Sequence, residues 1–547
     1  MFFHIVQNTV ESRNASAIVL FWNLSEPPMA RRRRREKRVA SSLSQLPWRS
    51  VSNPYSPIEV ISADQVQTII ESALSVLESQ GMRFLEPGSR KYMQEQGCEI
   101  DEAGMMVRLP RELVREKVAL APSEFTLRAR NPERKLAFGG NNIVFAAVGG
   151  PAFCSDLDNG RRPGTYEDLC NYFKLIQSFN IIHQEGGMSF EPMDLPAETR
   201  HLDTYLAQYR YLDKNAQSYA LGGERAKDSI EMACIALETD RQALLDDPAI
   251  LGIINTNSPM QFDIPMTEAV VELARSGQVA AITPFTLAGS MSPATLAGTL
   301  VQQTAEVLAV ATFAQCVRPG APVMYGAFAS NVDMKSGAPA LGTPEYTKSA
   351  LASGQIARAL GLPFRSSNTT VSNCVDAQAA YESEMSLWGA VMGHAHLVNH
   401  AAGWLEGGLT ASFEKLVLDV EMLQMMAETL RPIEFNEGEL ALDAIAEVEP
   451  GGHHFGTAHT LERYETAFYD SLLSDRQNFE SWSETGKVDA TQRANAIWKQ
   501  VLDEYQQPAL DPALDEALVN YVEERKRTAS YSEGQRIDYN ALPDGDD

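Results

Sequence analysis

Cysteine is scarce in this chain: six in 547 residues, at 98, 154, 170, 234, 316 and 374, none of them in a CxxC pair. That spacing argues against a disulfide framework and a thiolate zinc site, and it fits reduced thiols in a cytoplasmic protein. Basic residues are also in deficit, 46 Lys and Arg against 72 Asp and Glu, for a net charge of −26. A nucleic-acid-binding protein needs clustered cations, so the overall balance argues against that class. No apolar run approaches the length of a membrane span. No candidate strand is followed by GxGxxG, which removes the dinucleotide-binding version of an α/β fold, and the absence of GxSxG removes a nucleophile-elbow hydrolase. With 44% hydrophobic and 22% charged residues, the composition is otherwise ordinary for a globular protein.

The charge is unevenly spread. Residues 1–52 carry nine basic and three acidic side chains, a balance of +6, which leaves −32 on the rest. The run Arg31–Arg35 reads as a solvated, disordered tail, with a nucleic-acid or membrane patch as the alternative. The apolar stretch Ala17–Leu24 precedes its basic residues instead of following them, the reverse of a secretory signal. Met29 is expected to be the biological start, with residues 1–28 an over-extended reading frame. Ser62 and Gln65 form a capping box ahead of Val66, Ile69, Ile70, Ala73, Leu74 and Leu77 at helical spacing, and Gly81 is the stop. Asp158-Asn159-Gly160 marks a hairpin. Residues 53–165 are expected to form an N-terminal α/β region.

From about residue 165 a rhythm sets in. Short apolar runs (Ile181–Gln184, Ser218–Leu221, Ile250–Ile254, Val279–Ile282, Pro322–Tyr325, Leu362–Arg365, Ala395–Asn399) start 37, 32, 29, 43, 40 and 33 residues apart. Helical segments lie between them. Ser292-Pro293 and Thr343-Pro344 read as N-caps followed by Pro at the first helical position, and Gly277 and Gly361 as stops. One βα unit takes this much chain, and strands joined by helices run parallel. The expected fold is an α/β (β/α)8 TIM barrel over 166–460, with an eighth strand in His453–Thr457. A C-terminal helical extension over 461–530 and an acidic tail over 531–547 follow. An open doubly wound sheet is the alternative.

In such a barrel the active site lies at the C-terminal strand ends. The residues there are polar and aromatic, rich in small residues and poor in Lys and Arg. That rim suits a cation better than a phosphate, because aromatic faces attract a quaternary ammonium. His394, His396 and His400 would share one side of a strand, but no cysteine completes a metal set and none is expected.

Three segments carry a resemblance. Thr286-Leu-Ala-Gly-Ser-Met-Ser-Pro-Ala-Thr-Leu-Ala-Gly298, Tyr325-Gly326 with Asp333-Met-Lys-Ser-Gly-Ala-Pro339, and Val375-Asp-Ala-Gln-Ala-Ala-Tyr-Glu382 resemble the trimethylamine–corrinoid methyltransferase family. Ser412-Phe-Glu-Lys-Leu-Val-Leu-Asp419 and Gly451–Phe455 extend the likeness, which runs from about 62 to 528. The resemblance implies a (β/α)8 barrel. It also implies methyl transfer from a methylated amine to the Co(I) centre of a corrinoid (cobalamin) carried by a partner protein, with no tightly bound cofactor on this chain. One departure matters: archaeal trimethylamine enzymes of the family carry pyrrolysine, and this chain has none. Members without pyrrolysine that are understood demethylate quaternary amines such as glycine betaine. A quaternary nitrogen leaves as a neutral amine and needs no activating group, so no protein nucleophile or general base is expected.

By strand-end position, Phe285, Tyr325 and Trp404, with Tyr205 from the first crossover, are the candidate aromatic box. Asn257, Asn368 and His400 could bind a carboxylate, with Arg365 as its counter-ion. Glu185 and Asp376 could orient the ammonium or the loops. Rival expectations are a tertiary amine such as trimethylamine as methyl donor, a non-catalytic ligand- or corrinoid-binding barrel, and a zinc-thiolate methyltransferase. A corrinoid-binding protein and a small methylated amine are the expected partners, and a homo-oligomer is plausible for a barrel of this size.

Overall fold

A computed structural model of the chain describes residues 45–531 together with Leu43, Ile537 and Tyr539. The Arg31–Arg35 run and Met29 lie outside the described residues. Residues 45–52, expected within the basic tail, are placed. Val51–Ser52 is a short strand, and the Arg49 guanidinium donates to Ala427 O and pairs with Glu428.

The fold is mixed α/β around one eight-stranded sheet. Its strands are β1 (Val51–Ser52), β2 (Asn142–Ala147), β3 (Gln217–Ser218), β4 (Leu251–Ile254), β5 (Val279–Ile282), β6 (Val323–Gly326), β7 (Phe364–Ser367) and β8 (Leu397–Ala402), in the order β1-β2-β8-β7-β6-β5-β4-β3. All neighbours are parallel except β1, which is antiparallel to β2. Single parallel bridges join Ala146 of β2 to Gln184, and Gln184 to Asn215 just ahead of β3. The run Ile181–Gln184 thus contributes one bridging residue, not a regular strand.

Two expectations are corrected. His453–Thr457 is not a strand: His454–Gly456 is a single 3-10 turn. The further parallel strand is β2, from the N-terminal region, which pairs Val144 with Leu397 and Phe145 with Val398. Its residues are buried from Ile143 to Ala147, so it lacks the polar alternation that would mark it as an exposed-face strand.

The helices follow their local signals. α1 (Ala63–Ser79) starts on the Ser62/Gln65 capping box and buries Val66, Ile69, Ile70, Ala73, Leu74 and Leu77. α2 (Tyr166–Ser178) starts on a second box, Thr165 with Asp168. The crossovers that follow are α3 (Arg200–Tyr211), α4 (Gly223–Ala236), α5 (Ile264–Arg275), α6 (Leu296–Val317), α7 (Pro344–Ala359), α8 (Ala377–Met392) and α9 (Phe413–Thr429). Thr343 caps α7 with Pro344 at its first position. α6 starts three residues later than Ser292-Pro293 implied, because Thr295 is the residue that caps it. The hairpin at Asp158–Gly160 is present, pairing Phe153–Asp156 with Gly160–Pro163. After α9, residues 431–489 form short helical pieces, and then α10 (Ala490–Asp503) and α11 (Pro512–Thr528) return to the body. α11 is tied down by Asp228 of α4, which accepts from Tyr521, Arg525 and Tyr531 while facing His201 at 3.0 Å. No helix among the described residues is long and apolar enough to cross a membrane.

Candidate active site

A cavity of about 460 Å³ opens where the parallel strands end. Gly149 and Gly150 follow β2, Gln217 and Ser218 belong to β3, Asn255 follows β4 and Thr283 follows β5. Arg365 lies in β7, and Asn399 and His400 in β8. The opening is made possible by close backbone passage: a Cβ on Gly149 would stand 1.9 Å from Gly186 O, and one on Gly186 would stand 2.1 Å from Ala147 O. Only glycine at both positions lets the β2 turn and the Gly186–Gly187 loop cross.

Aromatic rings form one wall. Phe285 and Phe328 have centroids 5.1 Å apart, Phe328 and Trp404 6.0 Å, and Trp404 and His400 4.5 Å. The Trp404 ring is held in place by its Nε1, which donates to Thr370 O at 3.0 Å.

The opposite chemistry stands beside that wall. Arg365 is 1% exposed, its guanidinium carbon lies 5.6 Å from the Phe328 centroid, and no carboxylate among the described residues pairs with it. Its Nε has no partner, and Nη2 points at His400 Nε2 at 3.3 Å. Burial pushes the guanidinium down to about 10, and it stays cationic at neutral pH. Burial, and secondarily the Arg365 charge, hold His400 well below its ordinary value, so the ring is neutral.

A row of amides sets the orientation of these groups. Asn215 Nδ2 donates to two backbone carbonyls, Arg128 O and Ala249 O, so its Oδ1 must accept. Gln184 Nε2 donates to that oxygen, Gln217 Nε2 donates to Gln184 Oε1 and to Asn399 Oδ1, and Asn399 Nδ2 is left facing His400 Nε2 at 3.4 Å. On its other side, His400 Nδ1 lies 3.2 Å from the Gly149 N–H. The imidazole therefore meets N–H donors at both nitrogens, although a neutral ring accepts at only one. Around His400 the donors outnumber the acceptors, while Gln217 Oε1 has no donor.

Of the ten residues singled out in the sequence, Phe285, Arg365, His400 and Trp404 line the cavity. The other six do not. Tyr325 donates or accepts among Gln303 and Thr304 in α6, behind the sheet. The Tyr205 hydroxyl accepts from Tyr219 N, and it is Tyr219 that lines the cavity. Asn257 reaches Asp263 on an exposed loop. Asn368 donates to Ala401 O and Asp419, bracing β8 just behind His400. Asp376 caps α8 through Ala379 N. Glu185 folds back on its own loop, accepting from Gly187 N, Met188 N, Ser189 and Gln208, and burial pushes it up to about 7. Phe328, Tyr219, Gln217 and Asn399 went unselected. Phe328 follows β6 by two residues, so its only signal in the sequence was its distance past the strand end. His394 and His396 face the backbone carbonyls of Tyr55 and Gly140.

Among the described residues, the cavity lining holds no Asp, Glu or Lys, and no three of His, Cys, Asp and Glu come together as a metal set.

Residues 29–530 match the family model described as trimethylamine methyltransferase (MTTB). The chain belongs to the trimethylamine methyltransferase (MTTB) family. It is a methyltransferase. A glycine betaine methyltransferase of Desulfitobacterium hafniense is 38% identical over 467 residues, covering 85% of this chain and 97% of that relative. A trimethylamine methyltransferase MttB of the same species is 27% identical over 465 residues, covering 85% and 93%. The crystal structure of the Methanosarcina barkeri monomethylamine methyltransferase (MtmB) matches with a TM-score of 0.48 and 9% identity over 83% of this chain and 89% of that one.

Proposed function

We propose that this methyltransferase moves a methyl group from a carboxylate-bearing quaternary amine, of the glycine betaine kind, to the Co(I) centre of a corrinoid carried by a partner protein. The observation that carries the substrate is Arg365: a buried cation without an acid partner, beside an aromatic wall, in a cavity without a carboxylate. A bare methylammonium cation would enter a site whose only fixed charge repels it. A zwitterion fits both halves. Its carboxylate takes the surplus donors of Arg365 and Asn399, and its trimethylammonium head lies against Phe285, Phe328 and Trp404, whose ring faces attract it. The 38% identical relative that acts on glycine betaine supports the same class.

The fold reading belongs with this. The sheet is a complete (β/α)8 barrel, with Gln184 standing as the remaining strand between β2 and β3. The bridges on either side of that residue support closure.

The chemistry asks little of the chain. The corrinoid supplies a strongly nucleophilic cobalt that accepts the methyl. The C–N bond breaks with its electron pair staying on nitrogen, which leaves as a neutral tertiary amine, so no side chain has to give or take a proton. The neutral His400 and the absence of carboxylates in the lining suit that requirement. The aromatic wall and Arg365 hold the two ends of the substrate so that one N-methyl faces the open mouth, which places the reacting atoms in line. Glu185 keeps the Gly186–Ser189 loop in shape and touches no substrate.

Anaerobic methylation of free Co(I) cobalamin by a panel of amines tests this reading. Carboxylated quaternary amines should be turned over, with choline and trimethylamine far behind. Faster turnover of trimethylamine would overturn the substrate assignment, and binding of a betaine without any cobalt methylation would overturn the catalytic one.

A further inference from the structure

The segment between α9 and α10 is folded yet buries almost nothing. Its short helices have proper caps: Asn436 for Glu437–Leu440, Thr457 for Ala458–Arg463 and Asn478 for Phe479–Glu484. Among residues 431–489 only Ala444, Thr457 and Leu473 are buried. Ile433, Phe435, Leu442, Phe455, Phe468 and Phe479 are each two-thirds or more exposed. Short helices are marginal in water and hold their shape through tertiary packing, and ordering a residue costs about 1–2 kcal/mol. An arm of this length therefore needs a cover for its apolar side chains.

The same chain carries a second bare apolar face. On α8, Tyr381, Met385 and Trp388 are exposed at spacings of four and three, which puts them on one side of the helix. Met425 of the neighbouring helix α9 is half exposed.

We propose that the arm 433–479 is an exchanged oligomerisation element, which packs against the α8–α9 face of a second copy of this chain while that copy's arm packs against the first. Both halves of the contact are present in one sequence, as a twofold, self-complementary interface requires. The size fits. Large apolar side chains bury on the order of 150 Å² each, so the arm offers roughly the 800 Å² per partner of a stable interface. The cover has to be permanent. On the reading above, the corrinoid protein must leave after each methylation to pass the methyl on, and a partner that leaves cannot be what keeps the arm folded. That clause rests on the proposed function, but the exposure of the arm and of α8 does not.

Sedimentation of the full chain at micromolar concentration tests the proposal. The wild type should be a dimer or a multiple of one. The double variant Phe435→Asp, Phe468→Asp and the separate variant Trp388→Asp should each be monomeric, with unchanged helical circular dichroism and betaine binding. Mixing the two monomeric variants should restore part of the dimer, because one sound arm then meets one sound α8 face. Misfolded chains would not complement in this way. A monomeric wild type, arm variants that remain dimeric, or failure of the mixture to associate would each overturn the proposal. Arm variants that stay dimeric and lose turnover only with the corrinoid protein would assign the arm to that partner instead. These readouts are independent of catalysis, so the oligomer and the substrate assignment can fail separately.

Discussion

The strand-end cavity and the 433–479 arm break the usual rule of apolar inside and polar outside in opposite ways. At the cavity, Arg365, Gln184, Gln217 and Asn399 are polar and almost fully buried. On the arm, Phe435, Phe455 and Phe468 are apolar and almost fully exposed. A buried polar group is tolerated where its hydrogen bonds are met, and the amide row meets most of them, leaving Gln217 Oε1, Arg365 Nε and the His400 ring short. An exposed apolar patch marks a surface made to be covered. Each region is incomplete by one kind of chemistry. On the proposed readings, the cavity suits an anion with a cationic, methylated head, and the arm suits an apolar surface.

The sharpest way to break this contrast is to remove the charge at the cavity. Arg365→Met should lower kcat/KM for a carboxylated quaternary amine by about a hundredfold or more, close to 3 kcal/mol, through KM, since an anion would then be buried with no partner. Arg365→Lys should recover part of it, and steady-state kinetics with free cobalamin would show both. An unchanged KM would separate Arg365 from the substrate. Asn399→Asp sets an acid beside His400 and Arg365, an internal occupant of the anion seat, and should raise KM by tens of fold on the scale of one charge-assisted hydrogen bond. Tighter binding would contradict it. Trp404→Leu removes one face of the wall and should cost about tenfold in affinity, near the 1–2 kcal/mol of a desolvated cation–π contact, read by calorimetry.

A smaller effect concerns the loop beneath the cavity. Burial raises Glu185 from an ordinary 4.5 to about 7 in the folded chain. The folded state therefore holds this proton more tightly than the unfolded state. The stabilisation is complete below the unfolded value and is lost as pH rises through about 7. Melting temperatures of the wild type and Glu185→Gln between pH 5 and 8 should diverge, the wild type falling relative to the variant as pH increases. A pH-independent gap would show that Glu185 keeps its ordinary titration. The smallest effect belongs to the arm: its aspartate variants should change free-cobalamin turnover by less than about twofold, because additivity holds for sites that share no partners. A larger loss would tie the arm to the cavity.

Much of the frame was readable because it rests on local rules. Caps at Ser62 and Thr343 need only the side chain and its own helix, and the strand starts after Gly277 and Gly361 are chain reversals that left-handed glycines permit. The missed strand β2 is buried on both faces and carries no alternation to detect. Ile181–Gln184 has a strand's composition, but the chain leaves the sheet on either side of Gln184, which a propensity cannot register. The site was half legible for the same reason. Position after a strand brought Phe285, Arg365, His400 and Trp404 to notice. Whether a side chain at such a position turns into the mouth or back among the helices depends on a neighbour distant in sequence. Tyr325 turns away to meet Gln303 and Thr304, while Tyr219 replaces Tyr205 because the Tyr205 hydroxyl is used to hold Tyr219's own amide.

The amino-acid order alone thus determined the class of fold, six of its parallel strands and the family, since periodicity, caps and motif residues act over a few positions. Tertiary structure alone decided that Arg365 meets no acid among the described residues, that five residues from three stretches of chain form one directed row ending at His400, and that an entire arm is left uncovered. Those are properties of pairings between groups tens to hundreds of residues apart, and they exist only once the sheet has brought the strand ends together.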